Sequence, residues 1–188
     1  MNVFNITIKK KLDGDIELDE TFVGGKNKNR HFNKKVEKCQ GRSFKDKFPV
    51  MGILQRGGSI FCKVVRDTSY KSLTIPILKT VKRTATLYSD EWQGYKIVNN
   101  LYNHYIVDHG HGQYVNGNAY TNNIEGFWGI FKRGMIAIYN HTSGKHLQKY
   151  VNKFCFRCNT RKFDDRKRFN LLLCNSNHHI TYQSLINE

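Results

Sequence analysis

Residues 121–134, TNNIEGFWGIFKRG, have the spacing of an amphipathic helix with two charged side chains at the edge of its apolar face. With Ile124 at zero on a helical wheel, the side chains within roughly 60° of it are Phe127, Trp128, Phe131, Met135 and Ile138. Glu125 and Lys132 lie together at roughly 80–100°, two turns or about 10 Å apart along the axis. The stretch therefore predicts a core helix that presents one acidic and one basic side chain at the margin of its buried face.

The segments around this helix predict a mixed α/β sheet. Residues 14–23 alternate apolar and polar side chains, as a strand does, and residues 49–67 have the pattern of a β-hairpin. The further predicted elements are, in chain order, a helix over 69–83, a strand over 85–90, a helix over 91–100, a strand over 104–110 and a helix over 144–162. Pro76 fits the first of these helices only near its first turn. Strands that lead into alternating helices and strands are typical of an α/β domain.

The size and charge of the chain favour one domain that binds a polyanion. A chain of 188 residues is long enough for one sizeable core. Its 31 Lys and Arg residues outnumber its 15 Asp and Glu residues, which gives a net charge of +16. Nucleic acid is the first candidate partner, and a generally basic surface is the alternative. Residues 26–47 are polar and basic, which predicts a loop or an insertion.

The sequence has neither a signal-peptide pattern at its N-terminus nor an apolar run of about 18 residues. We therefore expect an intracellular protein, in the nucleus of a eukaryotic host and otherwise in the cytoplasm. Five cysteines without a repeating spacing favour reduced thiols over disulfides. Cys155 and Cys158 form a CxxC, but without a second pair the zinc signal is weak and buried thiols are favoured.

Three acids stand where the predicted elements can bring them together. Asp19 lies in the first strand, Asp90 ends the strand over 85–90, and Glu125 lies in the first turn of the helix. Three carboxylates at one site of a cationic chain would repel one another unless a cation neutralised them. Mg²⁺ or Mn²⁺ fits best, because hard divalent ions prefer oxygen ligands and a pair of them supports displacement at phosphorus. Taken singly, each acid also has an ordinary explanation, as a solvated strand residue, a turn residue or helix cap, and a first-turn acid.

Four segments of the chain, in this order, resemble the catalytic domain of Merlin-type transposases and of related bacterial insertion-sequence transposases. They are LDETFVGGK, LYSDEWQGY, TNNIEGFWGIFKRG and IYNHTSGKHLQKYVNKFCFRCNTRK. The resemblance covers roughly residues 13–162, and the order of the segments carries it. The 34 residues between Asp90 and Glu125, and the six between Glu125 and Lys132, are similar to the spacings of DDE transposases and integrases.

The resemblance implies an α/β, ribonuclease H-like fold, a mixed sheet with flanking helices. The implied catalytic domain spans residues 1–162, and a C-terminal extension spans residues 163–188. The implied function is metal-dependent cleavage and strand transfer of double-stranded DNA at transposon ends, by a homo-oligomer. A transposase-derived DNA-binding protein, catalytically inactive or domesticated, is the alternative. An unrelated ribonuclease H-like nuclease would share the acids but not the GKHLQKY and FRCNTR sequences.

The resemblance also implies a role for each candidate site residue. Asp19, Asp90 and Glu125 would be the catalytic triad and hold two Mg²⁺ or Mn²⁺ ions, and Lys132 would bind DNA phosphate near the transposon end. Some bacterial relatives have asparagine in the third acidic role, so the candidates for an auxiliary ligand are Asn122 and Asn123. The further candidates for contact with DNA phosphate, with ordinary surface charge as the alternative, are Arg133, Lys145, Lys149, Arg157 and Arg161.

The sequence departs from the family pattern in three places. Tyr120 stands where the family commonly has histidine, and Ala137 stands where it commonly has glycine. Nothing before residue 13 resembles the zinc ribbon or helix-turn-helix that usually recognises transposon ends. This third departure favours a fragment, a decayed copy or a domesticated descendant.

Histidine and tryptophan residues offer alternative sites. His104, His109 and His111 precede the helix and suggest a general base or a zinc site, but exposed loop histidines are favoured because two-metal phosphoryl transfer requires no histidine. Trp92 and Trp128 suggest stacking on flipped bases, whereas the helical pattern favours core packing for Trp128.

Overall fold

The computed structural model describes residues 4, 10–24, 31–35, 47–107, 120–139, 142–176, 181 and 183. The strands are β1 (Asp15–Val23), β2 (Phe48–Gln55), β3 (Ile60–Val64), β4 (Thr86–Ser89) and β5 (Asn103–Ile106). The α-helices are α1 (Tyr70–Thr80), α2 (Asn122–Ala137), α3 (Gly144–Asn159) and α4 (Asp165–Cys174), and 3-10 helices span Phe32–Lys34 and Gln93–Asn100. The predicted mixed sheet with flanking helices is confirmed.

The five strands form one sheet in the order β3-β2-β1-β4-β5. β1 pairs antiparallel with β2, and β2 pairs antiparallel with β3. Gly57, in the tight turn between β2 and β3, has φ +68°, which glycine adopts without strain. β4 and β5 each follow a helical segment that returns the chain, so β4 pairs parallel with β1 and β5 with β4. This topology agrees with a ribonuclease H-like fold and makes β1 the central strand.

Buried apolar side chains cover both faces of the sheet. The core on the α1 side includes Ile16, Leu18, Ile53, Leu73, Ile77 and Leu87. The core under α2 and α3 includes Val50, Leu54, Ile124, Trp128, Phe131 and Phe154. Because side chains alternate along a strand, Glu17 and Asp19 of β1 face α2 while Ile16 and Leu18 face α1.

A glycine sets how closely α2 approaches the sheet. Gly52 of β2 pairs with Asp19 of β1. A Cβ atom built on Gly52 would lie 2.6 Å from Trp128 Cζ2 and 2.9 Å from Ile124 Cδ1. No side chain fits there without movement of α2, the helix that carries Glu125.

Replacing Gly52 by alanine is expected to lower the free energy of unfolding by roughly 1–3 kcal/mol, because the added methyl group displaces Trp128 or α2. Gly126 is the matched control: a Cβ there meets nothing within 4 Å, and alanine favours a helix by about 0.5–1 kcal/mol. Urea unfolding of both variants measures the difference. A Gly52→Ala variant as stable as the wild type would contradict the close packing of α2 on β2.

Pro76 lies beyond the first turn of α1, contrary to the prediction. An interior proline costs a helix about 3 kcal/mol. Leu73 and Ile77 on the same helix are fully buried in the core, and each such side chain stabilises by about 1.5–3 kcal/mol. Tertiary burial therefore outweighs the local cost.

The helix predicted over residues 91–100 is present as a 3-10 helix over Gln93–Asn100. Its start is fixed by the Trp92 indole N–H, which donates to the Thr68 carbonyl at 2.9 Å, and by buried Tyr95. The predicted burial of Ile138 was wrong: this residue lies just beyond the end of α2 and is 66% exposed, so the buried stripe ends at Met135.

Most of the basic loop predicted over residues 26–47 lies outside the described residues. Only residues 31–35 and 47 of the predicted basic loop are described. The proposed division at residue 162 stays a prediction, with α4 just beyond it. None of the helices in the described ranges is long and apolar enough to cross a membrane.

Candidate active site

Asp19 lies on β1, and Asp90 directly follows β4, the parallel neighbour of β1 in the sheet. In the parallel pairing of β1 with β4, Glu17 is opposite Tyr88. Asp19 comes two residues after Glu17 and still lies within β1, and Asp90 comes two residues after Tyr88, immediately after β4. The sheet register therefore brings these two predicted acids together.

Glu125 lies at the start of α2, which packs against β1. It lies in the first turn of the helix, and its Oε1 accepts a hydrogen bond from the Thr121 hydroxyl at 3.0 Å. The preceding backbone N–H, of Ile124, donates to Oε2 of Glu17 on β1 at 2.9 Å. The helix start is thus bound to the strand that carries Asp19.

The charges of Asp90, Glu125 and Lys132 all act on the carboxyl group of Asp19. Burial, followed by the negative charge of Asp90, raises the pKa of Asp19 from 3.8 to about 7, and Glu125 adds to the rise. The Glu20 backbone N–H, 2.8 Å from Asp19 Oδ1, and the positive charge of Lys132 oppose it. Burial is therefore the main cause of the raised pKa, and the repulsion from Asp90 is larger than the attraction of Lys132.

A site of this kind favours a divalent cation. Clustered carboxylates supply the hard oxygen ligands that Mg²⁺ and Mn²⁺ prefer, and a cation relieves their mutual repulsion. Two of the carboxylates also accept local backbone hydrogen bonds, Asp19 from Glu20 and Asp90 from Trp92. Within the described ranges, no group of three or more Asp, Glu, His or Cys side chains is already arranged as a set of metal ligands. The donor chemistry therefore fits the ion, while the metal site stays a prediction.

Two residues beside this site were missed by the sequence reasoning. Glu17 is fully buried and forms an ion pair with Arg56, whose Nε lies 3.0 Å from Glu17 Oε1. The Arg56 guanidinium lies between two aromatic rings, 4.0 Å from the centroid of Tyr88 and 3.7 Å from that of Tyr120. The alternation in DIELDE was an available signal, because it places Glu17 on the same inward face as Asp19, where a charge needs a partner.

The two asparagines both lie at the exposed start of α2. Asn123 donates from Nδ2 to Glu17 Oε1 at 2.7 Å, so its amide nitrogen supports the start of α2. Asn122, the first residue of the helix, is exposed. An auxiliary ligand role for either residue stays a prediction.

Among the predicted DNA-contacting residues, Lys132 is placed at the site by the effect of its charge on Asp19. Lys132 acts on Asp19, and the neighbouring Arg133 is exposed on α2. Lys145 is exposed and Lys149 half-buried in the first half of α3. These four residues stay candidates for contact with DNA.

Arg157 and Arg161 line a groove of about 490 Å³ between α2, α3 and α4. Asn123 and Gly126, near the start of α2, also line this groove. The Arg161 guanidinium donates to the Gly58 carbonyl at 3.1 Å. Much of its hydrogen-bonding capacity is therefore directed at the protein backbone.

His104 is not an exposed loop residue, contrary to the prediction. It lies on β5, half-buried, with Nε2 2.8 Å from the Ser89 hydroxyl and Nδ1 hydrogen-bonded to Asn99. Burial lowers its pKa to about 4, so the ring is neutral at physiological pH. His109 and His111 lie outside the described residues.

The tryptophans and cysteines have mainly structural surroundings. Trp128 is 3% exposed in the core, as predicted, and Trp92 is partly exposed. Cys155 is buried and Cys158 is half-buried, both as free thiols, and burial raises the pKa of Cys158.

Comparison with known families adds an independent observation. The sequence profile of the family described as ISXO2-like transposase domain matches residues 11–159. The matched range includes Asp19, Asp90, Glu125 and Lys132. No curated protein matches the chain.

Proposed function

Because the chain belongs to the family of ISXO2-like transposase domains, we propose that it is an active DDE transposase, which cleaves and joins DNA at transposon ends. In the proposed reaction, water attacks a phosphodiester at the transposon end and releases a 3′-hydroxyl. That hydroxyl then attacks a phosphodiester of target DNA, which forms the new bond and releases a target 3′-hydroxyl. The observation that carries the proposal is the sheet register that places Asp19 beside Asp90, together with the charges of Asp90 and Glu125 acting on Asp19.

DDE transposases generally use divalent metal ions, and we propose that the three carboxylates hold two Mg²⁺ or Mn²⁺ ions. When bound, such ions activate the attacking oxygen and stabilise the leaving oxygen of an in-line displacement. Asp19 lies in the central strand and Asp90 directly follows its neighbour, so both positions are set by the sheet. Glu125 is supplied by α2, whose distance from the sheet is limited by the contact of Trp128 with Gly52.

The basic residues have the complementary role of binding DNA. We propose that Lys132, which shares the margin of α2 with Glu125, binds a phosphate beside the reacting one. The net charge of +16 favours a double-stranded DNA partner through phosphate contacts. Transposition requires both ends of an element to be cleaved and joined to target DNA, so we also propose a homo-oligomer as the working form.

Incubation of the protein with labelled duplexes tests the function. The duplexes carry the terminal inverted repeats that flank the coding sequence, with Mg²⁺, Mn²⁺ or EDTA in parallel reactions. We expect metal-dependent nicking at the repeat end, followed by joined products with target DNA. Specific binding without nicking would favour a DNA-binding descendant, and the absence of both would overturn the proposal.

A further inference from the structure

A second buried carboxylate lies behind the proposed catalytic residues. Glu17 is two residues before Asp19 on β1 and faces α2, and its side chain is fully buried. Its Oε1 accepts from Arg56 Nε at 3.0 Å and from Asn123 Nδ2 at 2.7 Å, and its Oε2 accepts from the Ile124 N–H at 2.9 Å. Both oxygens are thus used by protein donors, and two of the three donors belong to the first turn of α2.

Arg56 extends this network across the sheet. The guanidinium also donates to the Tyr120 carbonyl at 2.6 Å, just before α2 begins. It is stacked between the rings of Tyr88 on β4 and Tyr120. A single cation therefore connects β1, β4 and the chain that enters α2.

We propose that Glu17 is a positioning residue, which works with Arg56 and Asn123 to hold the first turn of α2 against β1. In this position Glu125 stays beside Asp19, one residue after the Ile124 amide that Glu17 binds. A buried carboxylate is costly unless it is paired and hydrogen-bonded, and here both conditions are met by groups on the elements that need alignment. The role for catalysis rests on the proposed function, whereas the anchoring of α2 does not.

The test compares two asparagines that anchor helices to strands. Asn123→Ala removes the side-chain bond from α2 to Glu17. Asn159→Ala is the control, because Asn159 of α3 bonds the backbone N–H and carbonyl of Ile60 on β3 at 2.7 and 2.9 Å. Asn123→Ser, which keeps a short hydrogen-bond donor, provides a milder variant if the alanine variant does not fold.

Amide hydrogen exchange, followed by NMR, measures how firmly the first turn of α2 is held against β1, and it needs neither metal nor DNA. We expect exchange of the Ile124 amide to become about tenfold faster in Asn123→Ala and to change less than about twofold in Asn159→Ala. The control should instead speed exchange of the Ile60 amide. Unchanged exchange at Ile124 in Asn123→Ala, or equal acceleration in both variants, would overturn the positioning role.

Titration with Mn²⁺, followed by electron paramagnetic resonance, measures whether loss of the anchoring weakens metal binding at the proposed site. We expect Glu17→Gln to weaken Mn²⁺ binding about tenfold, which is typical for loss of a group that supports a metal ligand, and Asn159→Ala to leave it unchanged. Equal Mn²⁺ affinity in wild type and Glu17→Gln would overturn the proposed effect on Glu125. A wild type that binds no Mn²⁺ and cleaves no DNA, with Ile124 protection still dependent on Asn123, would refute the proposed function and leave the anchoring intact.

Discussion

Asp90→Ala is expected to reduce DNA cleavage about 10³-fold or more. The substitution removes one of the carboxylates that would share the divalent ions, and the members of such a unit cannot substitute for one another. Glu125→Gln should have a comparable effect, because the amide keeps the size of the side chain but loses its charge. Initial rates of nicking on the labelled terminal-repeat duplex, at saturating Mg²⁺ and Mn²⁺, measure both effects.

The control for these substitutions is Glu91→Gln, which removes an exposed carboxylate next to Asp90 in the sequence. It should keep nicking within about threefold of wild type, since Glu91 is not a member of the proposed triad. DNA binding by the Asp90→Ala variant should remain close to that of the wild type. An Asp90→Ala variant that nicks within tenfold of the wild-type rate would remove Asp90 from the proposed triad.

Asp19→Asn is expected to stabilise the metal-free protein at pH 8 by about 2–4 kcal/mol. The folded-state pKa of Asp19 is raised to about 7, mainly by burial and by Asp90. Below about pH 4 the carboxyl is protonated in both folded and unfolded chains, so it contributes nothing. As the pH rises from about 4 to 7, only the unfolded chain releases the proton, and the folded state loses stability. Asparagine never ionises and avoids this loss.

Urea unfolding in EDTA at pH 4 and pH 8 measures this difference. The gain from Asp19→Asn should be small at pH 4 and large at pH 8. His104 titrates over part of the same range, but it is present in both proteins and cancels in the comparison. Asp13→Asn is the control without this pH dependence: hydrogen bonding to Lys82 lowers the pKa of Asp13 below its ordinary value of 3.8, so the substitution should lower stability by a similar amount at pH 4 and pH 8. A gain from Asp19→Asn that is independent of pH would contradict the raised pKa of Asp19.

The parts of the fold that the sequence predicts are those with local periodicity. The alternation of residues 14–23 and the helical spacing of residues 122–135 each depend only on which face is buried, so β1 and α2 could be placed to within a few residues. The convergence of the acids was a hypothesis from their positions in the predicted strands and helix and from the family resemblance. The parallel register of β1 with β4 now gives it a geometric basis for Asp19 and Asp90.

The supporting network could not be predicted in the same way. Glu17 and Arg56 are 39 residues apart, and their pairing depends on where the β2–β3 turn lies relative to β1. Tyr120, which stands in place of the histidine common in related transposases, forms one side of the stack on Arg56. The signal from sequence was limited to a charged residue on an inward face, which indicates that a partner exists but not which residue it is.

Crystals grown with Mn²⁺ and measured for its anomalous scattering would locate the ion relative to the three carboxylates. We expect anomalous peaks about 2.1 Å from carboxylate oxygens of Asp19, Asp90 and Glu125. Peaks only at other sites, in crystals of a protein that cleaves DNA with Mn²⁺, would contradict the proposed metal site.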